Sequence, residues 1–365
     1  MNYLKINNYE AISLILVIFI NHLILSFPQS ILTQIGSSSI IAVIYVTFFA
    51  LLFVFLISKF SAPFNNKDIL DISEFLGGKR LKTIVGIVSL IYLIFASSIL
   101  IRDFTDFLKL VHFYKFPIYF ILIFFFLTGI IGNFFGKRST FRANLIVIFI
   151  TSFGLIISFC SLIPKYEIER IFPLLGNGGT TTFLLSLSNL SAFSGLFFLF
   201  FLKPYLNKKN DFFKVGSISI CIMGIFLLLS VASLLLVFPI STQIKDLSPL
   251  YYITSISGNN SFFQRPESIF MLTWILTIMS YTTITITFSI IILEKLSKKQ
   301  LSNGIALPVA ITIYILALLP KNTAIVRYLH EYIYTYFSVG ILMVFFFLIL
   351  IIAFIKYQKK KKYIQ

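Results

Sequence analysis

The chain has 365 residues, of which 58% are hydrophobic and only 12% charged, with 44 Phe and a single Trp. No soluble core needs that much apolar surface, so the composition excludes a water-soluble globular protein and predicts a polytopic helical membrane protein. A formal net charge of +17 would suggest nucleic acid in a soluble chain, but here most Lys and Arg fall on one side if both termini are cytoplasmic, so no nucleic-acid partner is expected.

Ten apolar spans are predicted, centred near residues 18, 48, 93, 124, 152, 191, 227, 280, 312 and 345. The first, over about residues 11–25, lacks a small-residue cleavage site and is expected to be retained. It runs into Ser26-Phe27-Pro28-Gln29. A proline at membrane depth frees backbone groups, which are tolerated only where they line a cavity or are buried in protein. His22 is the one ionisable side chain well inside a span; an interhelical hydrogen bond and a functional role are both open, and no second ligand suggests a metal.

After the second span, residues 59–82 form a polar cytoplasmic connection. Within it, Asp68 can cap a short helix, Ile69, Ile72, Phe75 and Leu76 share one face, and Gly77 can end it. This helix is expected along the inner membrane surface. The third span, about 83–109, offers Ser89, Tyr92 and Ala96 on one face. At its outer end Arg102, Asp103, Asp106 and Lys109 are expected as a solvated rim of weak ion pairs, matched by Arg265 and Glu267 before the eighth span.

Spans four, five, seven, nine and ten are rich in Phe, Ile and Leu and are expected as scaffold. Cys160 and Cys221 lie inside spans and suggest neither a disulfide nor a metal site. The sixth span carries Ser186-Leu187-Ser188-Asn189-Leu190-Ser191-Ala192-Phe193-Ser194-Gly195 through its middle. That run predicts a second break, with tight packing by small residues as the alternative. The eighth span, about 266–294, shows Thr273, Thr277, Ser280, Thr283 and Thr287 as a hydroxyl stripe that either lines a cavity or bonds to neighbouring helices. Tyr281 and Phe337 are aromatic candidates for gates. Lys359 to Lys362 form a basic tail that attracts anionic membrane lipid.

The chain divides into two five-span halves of opposite orientation, residues 1–176 and 177–356, followed by the tail 357–365. The polar connections after the second span of each half, 59–82 and 239–266, fall on opposite faces, as an inverted-topology repeat requires. Breaks at matching places in the two halves point to a binding site. Half-helix ends there can hold the carboxylate and ammonium of a zwitterion through dipoles and backbone bonds. There is no phosphate-cradling glycine loop, no HExxH and no paired intramembrane carboxylates, so an enzyme is not expected. A membrane-embedded transferase would need a catalytic His, Asp or Glu at the membrane face, where only scattered candidates exist.

Asp71-Ile72-Ser73-Glu74-Phe75-Leu76-Gly77-Gly78, followed by Tyr92 and Arg102-Asp103-Phe104, resembles the inner loop and third span of the bacterial endospore germination permeases. Glu169-Arg170-Ile171-Phe172-Pro173-Leu174-Leu175-Gly176 and Gln264-Arg265-Pro266-Glu267-Ser268 with Trp274 resemble that family's fifth-to-sixth connection and the start of its eighth span. These are the B subunits of Ger-type germinant receptors, similar to the amino acid, polyamine and organocation transporter (APC) superfamily. The resemblance implies an all-α polytopic fold of ten transmembrane helices in a LeuT-like 5+5 inverted repeat, with helices 1 and 6 broken. It further implies a small nutrient germinant bound between the breaks, location in the spore inner membrane, and two partners, an A subunit with soluble and membrane parts and a lipoprotein C subunit. No cofactor is implied.

Two features depart from related transporters. A glycine pair often marks the first break there, whereas this chain has Leu25-Ser26-Phe27-Pro28, and the span-five lysine of proton-coupled relatives is missing from residues 143–163. Ligand sensing is therefore expected over coupled transport, with a secondary amino acid transporter of the same fold as the alternative. The expected ligand-binding residues are Ser26, Phe27 and Pro28; Tyr92 and Ala96; Asn189, Ser191, Ala192, Phe193, Ser194 and Gly195; and Thr277, Tyr281 and Phe337.

Overall fold

A computed structural model describes residues 5–25, 27–176, 178–208, 211–238, 248–257, 265–301 and 303–362. Apart from an isolated parallel bridge between Ile6 and Leu206, the regular structure among these residues is helical. In chain order the α-helices are α1 (Asn8–Leu25), α2 (Phe27–Ile35), α3 (Ser39–Ser61), α4 (Ile69–Val111), α5 (Ile118–Phe134), α6 (Lys137–Leu162), α7 (Gly179–Ser186) and α8 (Leu196–Leu202). They continue as α9 (Asp211–Val237), α10 (Pro249–Ser257), α11 (Pro266–Ser297), α12 (Ala306–Leu318), α13 (Thr323–Tyr328), α14 (Thr335–Val339) and α15 (Phe347–Lys362). Six described helical stretches are long and apolar enough to cross a membrane, and the pair Thr182–Phe193 and Leu196–Tyr205, bent by 47°, makes a seventh candidate. Shorter apolar helices occupy Asn8–Asn21, Ile118–Phe134 and Ala306–Leu318. The chain is a multi-pass integral membrane protein.

α11 is the central post: 72% of its apolar window is buried, against 39% for Phe27–Ser61. It packs on α1, α4, α5 and α6. Small residues let the α5 backbone come close, since a Cβ on Gly129 would lie 2.8 Å from Ile286 Cδ1 and one on Gly132 would lie 2.6 Å from Thr283 Cγ2. The hydroxyl stripe of α11 serves this packing. Thr273, Thr277 and Thr283 donate to Phe270, Trp274 and Met279 carbonyls of their own helix at 2.7–3.0 Å, and Thr287 donates to Asn133 Oδ1 of α5 at 2.8 Å.

The inner-surface helix forms the first turns of α4. Asp68 Oδ1 accepts from the Asp71 N–H at 3.1 Å while the Asp68 N–H donates to Asp71 Oδ2 at 3.3 Å, a reciprocal cap. The regular helix then breaks at Gly77 and at Gly78, whose φ of 70° is open to glycine at little cost. The inner segment and the third span thus meet at the glycine pair.

The outer charged group is not the solvated rim expected from the sequence. Arg102 and Asp106 are 3% and 7% exposed. Arg102 Nε donates to Asp106 Oδ1 at 2.9 Å, and its Nη1 donates to the Ala317 carbonyl at 2.8 Å. That carbonyl lies in the last turn of α12, where no helical N–H remains to bond it, so a guanidinium from the third span takes that place.

Candidate functional site

The first break expected from the sequence falls at Ser26, between α1, which ends at Leu25, and α2, which starts at Phe27. Ser26 and the side chain of His22 lie outside the described residues. The second break is a 3-10 segment, Leu187–Phe193, between α7 and α8. Its polar side chains compete for backbone: Ser188 Oγ donates to the Leu185 carbonyl at 2.7 Å and Asn189 Nδ2 donates to the same carbonyl at 3.4 Å. A second irregular segment, the π-helical turn Leu329–Tyr334, follows α13 at the head of the last long helix. Such turns interrupt α-helices mostly as isolated bulges, often at functional sites.

α2 and these two segments surround a cavity of about 140 Å³. α2 contributes Phe27, Ser30 and Gln34; the 3-10 segment contributes Ser188, Asn189, Ser191 and Ala192. The head of the last helix contributes His330, Glu331, Tyr332, Tyr334, Thr335 and Tyr336. The cavity lies at the end expected to face outward if both termini are cytoplasmic. Asn189 Nδ2 donates to Gln34 Oε1 at 3.3 Å, which joins the two broken spans across it.

Of the residues expected from the sequence, Phe27, Asn189, Ser191 and Ala192 line this cavity, and Pro28 is buried in the first turn of α2. Gly195 sits where the broken spans cross: a Cβ there would lie 2.7 Å from Phe19 Cδ1 and 3.1 Å from Ile18 Cγ2. The Phe193 ring meets that of Phe19 edge-on at 5.7 Å. Tyr92, Ala96, Phe193, Ser194 and Tyr281 are all buried and are not among the residues that line the cavity. Ser194 Oγ and the Tyr334 hydroxyl share a hydrogen bond of 2.7 Å, and Tyr334 stacks on Tyr92 at 6.3 Å. Phe337 packs on Tyr92 and Phe95 at 6.0 and 5.8 Å. Tyr334 therefore forms the floor of the cavity and the roof of the aromatic cluster. Thr277 is buried between α11 and α1, where its carbonyl accepts from Asn21 Nδ2 at 3.3 Å.

His330, Glu331 and Tyr334 were not expected from the sequence. His330 Nδ1 lies 2.8 Å from Asp103 Oδ2, so the third span positions the imidazole at the cavity. A His-Glu pair at the head of an otherwise apolar span was the available signal. Among the described residues, no three His, Cys, Asp or Glu side chains converge as a metal site would require.

The opposite face is closed by lysines. Lys295, at the inner end of α11, reaches Asp68 Oδ2 at 2.5 Å and Asp71 Oδ2 at 2.7 Å. Lys82 pairs with Glu74 at 2.6 Å across the glycine kink. Lys356 of α15 donates to the Phe75 and Leu76 carbonyls at 3.2 and 2.8 Å, capping the inner segment where its backbone ends. Lys5 likewise donates to the Pro204 and Leu206 carbonyls at the foot of the sixth span, at 3.0 and 2.7 Å. Burial pushes the Asp68 carboxyl up to about 6, with Lys295 opposing and the charge of Asp71 adding to the rise.

The profile of one family, described as spore germination protein, matches residues 5–326. Spore germination protein A2 of Bacillus subtilis (strain 168) is 22% identical over 355 residues, spanning 96% of each chain. Among solved structures, a Na+-coupled sialic acid symporter aligns over 96% of this chain and 79% of its own, at 14% identity and a TM-score of 0.69. A manganese transporter of Eremococcus coleocola aligns over the same shares at 13% identity and a TM-score of 0.61. At these identities the likeness carries the transporter fold and no substrate.

Proposed function

Since this chain belongs to the spore germination protein family, we propose that it is the membrane subunit of a germinant receptor, which binds a small nutrient such as an amino acid in the outer cavity and relays that event inward. The observation that carries this reading is the cavity's frame: α2, the 3-10 segment foreseen as the second break, and the head of the last helix surround it. Phe27, Asn189, Ser191 and Ala192 would touch the nutrient, with Ser26 and Pro28 shaping the first break. Tyr92, Ala96, Phe193, Ser194, Gly195, Thr277, Tyr281 and Phe337 form or flank the packed layer beneath, which must rearrange when the nutrient binds. The transporter fold supports ten spans in two inverted halves, residues 1–176 and 177–356.

A ligand shifts a conformational equilibrium only through different affinities for the two states. The last helix offers the means, because Tyr334 at its head floors the cavity and Lys356 near its foot holds the inner segment. A nutrient that favours a displaced Tyr334 would loosen the inner face, and the A and C subunits in the spore inner membrane would read that change. An amino acid transporter of the same fold is the second reading, favoured by the solved neighbours.

Nutrient binding to the purified protein in nanodiscs, set beside uptake into liposomes, separates the two. Saturable binding without flux supports the receptor, and flux supports the transporter. Asn189→Leu is expected to abolish binding; wild-type affinity in that variant would remove the cavity from consideration.

A further inference from the structure

Among the described residues, the walls of the outer cavity contain no Lys or Arg, and apart from tyrosines their ionisable members are Glu331 and His330, the latter held by Asp103 of the third span. If the imidazole carries both protons, it and Asp103 cancel; if it carries one, Asp103 adds its charge. In either state the wall is net negative, because among the described residues Glu331 has no ion-pair partner. An anion entering this space would lose hydration and meet no counter-charge. An ammonium would meet Glu331, the hydroxyl and amide oxygens of Ser188, Ser191 and Asn189, and the aromatic rings of Phe27, Tyr332 and Tyr336, whose faces attract cations. The volume of about 140 Å³ equals roughly five waters at their liquid share, enough for a small organic molecule.

We infer that the outer cavity selects its ligand by positive charge, with Glu331 as the counter-charge, so that the ligand is a small amine, free or as the ammonium of an amino acid, and anions are rejected. This rests on the outer cavity being the binding site proposed above, and it assigns the discriminating role to the head of the last helix rather than to the two broken spans. A carboxylate on the ligand is tolerated where it points to His330, but it is not the anchor.

The charge of the cavity can be read without knowing the nutrient. In the full-length protein in nanodiscs, with Cys160 and Cys221 changed to serine, Ser188→Cys places one thiol in the exposed part of the wall. Its modification by a cationic reagent, trimethylammonioethyl methanethiosulfonate, and by the anionic sulfonatoethyl analogue is followed by intact mass, each rate divided by the rate with a free thiol in solution. The cation is expected to react at least about tenfold faster than the anion after this correction. Glu331→Gln should bring the two rates within roughly threefold of each other, and Glu331→Asp should keep the preference. Equal rates, a preference for the anion, or a ratio that Glu331→Gln leaves unchanged would overturn the inference. A thiol reached by neither reagent would overturn the solvent-open cavity on which it rests. A cation preference in a protein that binds no nutrient would leave the charge selection standing and remove the nutrient-binding proposal.

Discussion

The two ends of the molecule are built in opposite ways. The outer end gathers irregular backbone, a 3-10 segment and a π-helical turn, around a polar cavity. The inner end sets regular helices against one another and locks them with Lys295, Lys82, Lys356 and Lys5 on carboxylates and helix-end carbonyls. Irregular segments with few backbone bonds open at low cost, whereas a buried charge network must be dismantled as a unit. The contrast teaches where each half of the function can reside. The outer end can adapt to a ligand, and the inner end can hold one state until the ligand supplies enough energy to release it.

Breaking the inner lock should have the largest effect. Lys295→Met leaves Asp68 and Asp71 without their shared cation, and removing one partner of a buried pair costs about 3–5 kcal/mol. Hydrogen exchange across residues 69–76 should then rise steeply while the cavity segment 187–193 changes little; unaltered protection at 69–76 would erase the distinction between the ends. Next comes Gly195→Val. Its side chain would enter the space of Phe19 and Ile18, and overpacking of this kind costs about 1–3 kcal/mol. The protein should still insert in the membrane but lose nutrient binding, with intact binding as the contrary result. Tyr334→Phe is milder, because it deletes the hydroxyl that Ser194 shares, worth about 1 kcal/mol. It should alter ligand affinity and exchange at 187–193 and 329–334 while leaving 69–76 protected.

The same division explains what the sequence could tell. The second break was legible because serine, asparagine and glycine at membrane depth carry a backbone meaning that hydropathy exposes. The inner helix was legible because its signals are local: Asp68 caps three residues ahead, and the glycine pair stops it. What stayed hidden depends on contacts between distant spans. Arg102 reads as surface charge until the Ala317 carbonyl, 215 residues away, is found beside it. Tyr334 is one of 18 tyrosines, and nothing in its neighbours' sequence marks the π-helical turn that puts it under the cavity. Thr277 and its stripe showed a polar face without showing that most of those hydroxyls bond back to their own helix.

The smallest expected effect is a pH dependence confined to the inner end. The carboxyl of Asp68 is raised from an ordinary value of 3.8 to about 6 by burial. The folded state therefore binds this proton more tightly than the unfolded chain, and stability falls as pH rises through about 4 to 6. Conversely, acidification from pH 7 to 6 should strengthen the inner face. Other groups titrate in that interval, so the readout is a difference between two proteins. Asp68→Asn keeps a side-chain oxygen that can cap the Asp71 N–H but has no proton to take up. Exchange at residues 69–76, corrected for the intrinsic rate, should slow in the wild type and stay constant in the variant. Equal pH dependence in both would mean that Lys295 keeps Asp68 ionised throughout.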